Sequence, residues 1–282
     1  MAEGFGDRLV RRIAATSPLC VGLDPSAGLL SAWGLDDSPS GIATMAETVI
    51  EAVALVAAAI KPQVAYFERH GSAGLAVLEE VLERGRAAGL LMIADAKRGD
   101  IDATMAAYGE AWLADTSPLA ADALTVTAYL GIGAMSDVMA LASSTGRGVF
   151  CVVASSNPEG RALQEAQTAH GSSVEAMLLT QLAEANALER DRGAGLGPFG
   201  AVVGATRTAG SLDLSGLSGP YLVPGVGAQG ATPSDVGALF KDVPRRSVLV
   251  NASRSILATG PDREALRAAA ESLAGELAEA LS

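Results

Sequence analysis

The chain reads as an α/β protein, a (β/α)8 TIM barrel, on three observations. Eight short apolar or β-branched runs recur at regular intervals along its 282 residues. Segments with helical periodicity separate them. Polar and charged residues gather at the C-terminal ends of the runs, where barrels of this kind carry their chemistry. A doubly wound sheet is the alternative, because periodicity cannot count closure.

The expected strands are, in order, residues 19–23 (LCVGL), 58–66 (ending KPQVAY), 90–95, 123–127 (ALTVT), 148–154 (GVFCVVA), 199–204 (FGAVVG), 220–223 and 247–250. Helical stretches such as GLAVLEEVLERGRAAG and GIGAMSDVMALAS lie between them. An opening helix at 5–14 is expected to plug the lower end of the barrel. The crossover between the fifth and sixth strands is long, about 157–197. It holds NPEGRALQEAQTAHG, which reads as an added loop, and then a helix with Val174, Met177, Leu178, Leu182 and Ala185 on one face. A C-terminal amphipathic helix closes the chain. With no acidic or Pro-rich linker, residues 1–282 are expected to form one domain.

Composition narrows the function. The formal net charge is −12 and no basic stripe is visible, so nucleic acid is not an expected partner. A phosphate site would need a few local cations against that background. The most hydrophobic stretch, VIEAVALVAAAI, is interrupted by Glu51 and too short to span a bilayer. No signal peptide is evident, so a cytoplasmic location and no membrane association are expected. Cys20 and Cys151 sit in apolar runs and read as buried, inert thiols. Neither they nor His70 and His170 form a metal-ligand pattern, and no cofactor motif is present.

Residues 91–102, LMIADAKRGDID, place Asp95, Lys97 and Asp100 against an apolar run. Charges crowded there are costly unless they pair or do chemistry. Two positions apart on a strand, Asp95 and Lys97 would share a face. Lys61, inside an apolar strand, also needs a partner. Asp24 follows the first strand, and Ser155 and Ser156 the fifth. VPGVGAQG and NASRSI follow the last two, where phosphate sites are often built. Gly225, Gly227 and Gly230 would let backbone N–H groups approach an anion, and Arg254 would grip it. Simpler readings exist: Asp24 before Pro25 could make only a turn, Asp100 or Asp102 could cap the next helix, and Arg254 could form a surface pair.

Together DAKRGDI, LDPS, KPQVAYFERHG, SSNPEG, VPGVGAQG and ASRSI resemble, in order, the motifs of the orotidine 5′-phosphate decarboxylase family, in its longer bacterial branch. The resemblance implies decarboxylation of orotidine 5′-phosphate to UMP without metal or cofactor. It implies that Lys97, Asp95, Asp100 and Lys61 form an alternating catalytic array. Asp24 and Lys61 would bind ribose hydroxyls, Ser156 the pyrimidine edge, and Pro224 and Gln229 the stretch between ring and phosphate. Arg254 would hold the phosphate beside Ser253, which stands where the shorter branch often has glycine. It further implies a homodimer in which Asp100, Ile101 and Thr104 enter the neighbour's site. The rival readings are a metal-dependent sugar-phosphate decarboxylase of the same superfamily, a Schiff-base aldolase using Lys97, and a non-catalytic nucleotide-binding barrel.

Overall fold

The computed structural model describes residues 3–282. Eight parallel strands close into a barrel: β1 (Leu19–Leu23), β2 (Ala59–Pro62), β3 (Leu91–Arg98), β4 (Ala123–Thr127), β5 (Gly148–Ala154), β6 (Phe199–Val203), β7 (Tyr221–Pro224) and β8 (Val248–Ala252). Closure runs through β8 and β1, with Leu19 opposite Val250 and Cys20 opposite Asn251. The doubly wound alternative is therefore excluded.

The strands are apolar because both faces are covered, as parallel sheets require. One core layer lies between barrel and helices. A second fills the barrel's lower half, where Phe5, Leu9 and Ile13 of the helix Phe5–Ala15 pack on Cys20, Ile93, Phe150 and Leu249. This is the expected plug. Phe5 meets Phe150 edge to face at 5.7 Å. A side chain at Gly148 would collide with the Phe5 ring, so the plug depends on a bare backbone there. Cys20 and Cys151 are buried free thiols, and burial pushes both up to about 12.

Several strand boundaries and one helix face differ from the sequence reading; β8, for example, runs to Ala252 rather than residue 250. β2 ends at Pro62 rather than residue 66, and a one-turn helix follows at Ala65–Glu68. Val64 and Phe67, three apart, are both buried, which is the spacing of a helical turn and not of a strand. β3 runs on to Arg98, past the expected end at residue 95. The crossover helix Val174–Asp191 buries Glu175, Leu178, Leu179, Leu182 and Asn186, while Val174, Met177 and Ala185 are only partly covered. Two polar residues cause this rotation. Glu175 accepts two hydrogen bonds from Arg207, both at 2.7 Å, and the Asn186 amide bonds the backbone of Phe199 and Leu217. The closing helix is Arg263–Ala280. No helix among the described residues is long and apolar enough to cross a membrane.

Candidate active site

The C-terminal ends of the strands surround a cavity of about 280 Å³. Asp24, Lys61, Asp95, Lys97, Ser156, Pro224, Gln229, Ser253 and Arg254 all line it, so most of the expected site residues converge in space.

Asp95 is the hub. Its Oδ2 accepts from Lys61 Nζ at 2.6 Å and from Gln63 Nε2 at 3.0 Å. Its Oδ1 accepts from Lys97 Nζ at 2.5 Å and from Thr125 Oγ1 at 2.9 Å. Burial by itself would raise the Asp95 carboxyl, but the two ammonium groups and their hydrogen bonds outweigh it and hold the group well below the ordinary carboxylate range. Burial would likewise lower Lys61, yet the charges of Asp95 and Asp24 prevail and raise it. Both groups therefore stay ionised at neutral pH. Lys61 is shut away from solvent, whereas the Lys97 side chain is 48% exposed and faces the cavity.

The same-face reasoning for Asp95 and Lys97 reaches the right pair by the wrong geometry. The β3–β4 ladder shifts register between Ala94 and Arg98, and Lys97 has φ +47°, in the left-handed region. Such a conformation costs on the order of 1–3 kcal/mol in a non-glycine residue and persists only where its surroundings impose it. The break sends consecutive cations apart. Lys97 folds back onto Asp95, while Arg98 pairs with Glu68 and lies over the rings of Tyr108 and Trp112.

Asp100, Ile101 and Thr104 are not part of this cavity. Asp100 Oδ1 accepts from the Ile101 N–H, and Ile101 is 49% exposed. Within one chain the array is thus Lys61–Asp95–Lys97, without the second aspartate. Neither Asp100 nor Asp102 caps the helix Asp102–Leu113, whose N-cap is Ile101 with no side-chain bond.

Just past β8, Arg254 opens a one-turn helix, Arg254–Leu257, ahead of the closing helix. Among the described residues it has no ion-pair partner. Gly225, Gly227 and Gly230 adopt φ +112°, +75° and +90°, which explains why this loop is glycine-rich. The expectation that all three offer free N–H groups needs correction. Gly227 donates to Ala231 and Gly230 to Gly227 inside the loop. Ser156 is held by the segment just after β6: its carbonyl accepts from Thr206, and a side chain at Gly204 would collide with it. Asp24 Oδ1, Asn251 Oδ1 and Ser253 Oγ are buried without a partner, leaving polar atoms available beside the cavity.

Three polar lining residues escaped the sequence reading: Gln63, Thr125 and Asn251. Each is polar inside or beside a strand run (KPQ, ALTVT, VLVNA), the same signal that singled out Lys61.

Fold and site together define a barrel enzyme for an anionic substrate, with a preformed Lys–Asp–Lys cluster in the same cavity as an arginine that has no ion-pair partner among the described residues. Comparison with known proteins narrows the class. Residues 17–269 match the model of the orotidine 5′-phosphate decarboxylase / HUMPS family, and the chain belongs to that family. It is 49% identical over 281 residues to the orotidine 5′-phosphate decarboxylase of Streptomyces coelicolor, covering 99% of both chains. It is 46% identical to that of Salinispora arenicola, again over 99% of each. A crystal structure from Streptomyces avermitilis superposes with a TM-score of 0.93 at 48% identity, covering 99% of this chain and 96% of the other. The Leishmania donovani OMP decarboxylase superposes at 0.76 with 29% identity over 99% of both chains.

Proposed function

We propose that this protein decarboxylates orotidine 5′-phosphate to UMP, in de novo pyrimidine synthesis. One observation carries the reading: an ionised Asp95 clamped between Lys61 and Lys97, in a cavity that also presents Arg254. Relatives at 46–49% identity over nearly the whole chain bear this activity in their names, which favours it over the sugar-phosphate branch of the family. The Lys97 side chain is engaged in an ion pair with Asp95 at 2.5 Å, which disfavours its use as a Schiff-base amine.

Loss of CO₂ leaves a carbanion in the plane of the pyrimidine, poorly delocalised by the ring. Lys97, whose ammonium faces the cavity, stabilises that charge and delivers the proton. At about 4 Å and an effective dielectric near 20 the pair interacts by roughly 4 kcal/mol. Enzymes commonly supply about 8–23 kcal/mol, so other contributions are needed. One is preorganisation: four hydrogen bonds fix Asp95, and Asp95 fixes Lys97, before substrate arrives. Another is binding of the remote phosphate by Arg254. Asp24 and Lys61 bind ribose hydroxyls, Ser156 the pyrimidine edge, and Pro224, Gln229 and Ser253 the stretch leading to the phosphate.

A homodimer and a cytoplasmic location belong to the same proposal. The exposed Ile101 and Thr104, with Asp100 outside the lining of the chain's own cavity, suit a twofold exchange in which they complete the neighbouring site. The test is the absorbance change of orotidine 5′-phosphate with purified protein in EDTA, with UMP identified as product. UMP formation at an undiminished rate is expected. No UMP, or activity that EDTA abolishes and Mg²⁺ restores, overturns the reading.

A further inference from the structure

Thr125 lies in β4 and is 1% exposed. Its hydroxyl sits between the two charged residues of β3. Oγ1 accepts from the Lys97 backbone N–H at 3.0 Å and donates to Asp95 Oδ1 at 2.9 Å. The direction of this relay is fixed. A backbone N–H can only donate and an ionised carboxylate can only accept, so the single hydroxyl proton must point at Asp95. The relay also stands where the sheet is interrupted. The β3–β4 ladder loses register between Ala94 and Arg98, and Lys97 takes its left-handed conformation within that gap. The Thr125 side chain supplies the acceptor for the Lys97 N–H there. Lys97 Nζ then returns to Asp95 Oδ1 at 2.5 Å, closing a ring through Lys97 backbone, Thr125 hydroxyl, Asp95 carboxylate and Lys97 ammonium.

We propose that Thr125 is a positioning residue for the reaction: its hydroxyl locks the strained Lys97 backbone to the Asp95 carboxylate and so sets where the Lys97 ammonium stands. The inference rests on the decarboxylase reading for its kinetic consequence, though not for its geometry. Thr125 is not required to touch substrate. It acts through Lys97, so its removal should lower kcat and leave KM nearly unchanged. Misplacing a reacting group by about 1 Å can cost on the order of a hundredfold in rate.

The experiment compares Thr125→Val with Thr125→Ser. Valine keeps the shape and removes the hydroxyl; serine keeps the hydroxyl. In the valine variant kcat should fall by about 10- to 100-fold, the range that follows from losing a hydrogen bond to a charged group. KM should stay within about threefold, and the serine variant should recover kcat to within about threefold of the parent. A merely structural threonine predicts the opposite, a lower melting temperature with normal kcat in the folded fraction. Valine kcat within threefold of the parent, a loss confined to KM, or serine as slow as valine would each overturn the proposal. Where valine does not fold, Thr125→Cys replaces it, its thiol being a weak donor and acceptor. Its kcat should fall below that of the serine variant; equality overturns the proposal. Amide hydrogen exchange at Lys97 provides a readout free of turnover. It should be slow in the parent and the serine variant and faster in the valine variant, and equal rates in all three refute the locking role. If the parent makes no UMP, the functional reading falls, while the exchange measurement still decides the positioning of Lys97.

Discussion

Replacing Asp95 by asparagine tests the electrostatic core of the site through stability and its pH dependence. The change keeps the shape and removes the carboxylate that pairs with Lys61, whose buried ammonium lies 2.6 Å away. At an effective dielectric near 20 that contact is worth about 6 kcal/mol before the cost of desolvation. Breaking a buried pair by removing one partner commonly costs about 3–5 kcal/mol, because the surviving charge is left uncompensated. Lys97 adds little, since its side chain is half exposed. Asp24, which also raises Lys61, retains part of the compensation. The variant should therefore lose about 3 kcal/mol at pH 7, a large share of the ~5–15 kcal/mol typical of a folded protein. The sign against pH is the sharper test. In the parent, Lys61 is raised by its partners, so its contribution is full below the unfolded lysine value of about 10.4 and is lost only as pH rises through the folded value. Asp95 is depressed, so its contribution is present above about 3.9 and is lost only as pH falls through the folded value. Between those limits the pair gives the parent a flat profile. In the variant, burial acts on Lys61 against a weaker field and lowers it, so stability rises as pH climbs from 7 towards 10 and the ammonium loses its proton. Urea unfolding at pH 6, 7.5 and 9 reads this directly. The gap between parent and variant should narrow at pH 9. A gap below about 1 kcal/mol, or one that stays constant with pH, would show that Lys61 does not depend on Asp95. The double change Lys61→Met with Asp95→Leu removes both charges and should recover much of the loss while abolishing turnover.

Lys97→Ala should lose nearly all turnover while melting close to the parent, since its side chain is half exposed; a rate loss under about tenfold, or ~1.4 kcal/mol, would remove Lys97 as the acid. Arg254→Ala should weaken orotidine 5′-phosphate far more than the phosphate-free nucleoside, read as separate kcat/KM values; equal losses on both would place Arg254 outside the phosphate contact. Mixing inactive Lys97→Ala and Asp100→Ala proteins under subunit exchange should restore about a quarter of native sites, because half the dimers are mixed and one site in each is intact. Exchange confirmed by mass without any rise in activity would mean that Asp100 serves its own subunit.

The barrel was readable because its strands are buried on both faces and so appear as uninterrupted apolar runs. β1, β4 and β5 fall on the expected residues. The misreadings have local causes. The run after Lys61 is apolar enough for a strand, and only the spacing of Val64 and Phe67 marks it as a helical turn. The sequence reading ends β3 at residue 95 because charges normally end a buried strand, whereas here Lys61, Gln63 and Thr125 meet Asp95 inside the barrel. Those partners come from the two neighbouring segments, in or just past β2 and within β4, and the register shift that brings Lys97 to Thr125 leaves no mark on a period-two pattern. Thr125 itself looks like an ordinary β-branched strand residue in ALTVT. A motif can show that Asp95 and Lys97 matter; the third residue joining them appears only when the strands are placed side by side.

The charge layout shows why so few groups suit the proposed chemistry. One chain brings two ammonium groups, the carboxylates of Asp95 and Asp24 and the guanidinium of Arg254 to the lining of a single cavity. Orotidine 5′-phosphate carries a ring carboxylate and a phosphate, and the proposal assigns the first to the Lys–Asp–Lys cluster and the second to Arg254. When CO₂ leaves, negative charge does not travel across the site. It moves by about one bond, from the departing carboxylate to the ring carbon that bore it. A field already fixed on that spot needs no reorientation to follow the change. The structural requirement is rigidity at Lys97, in a position that is half exposed and has a long flexible side chain. Asp95 restrains the ammonium end and Thr125 restrains the backbone end. Holding both ends of one lysine to the same carboxylate turns a mobile surface cation into a fixed one. The break in the β3–β4 ladder is where that hold is made.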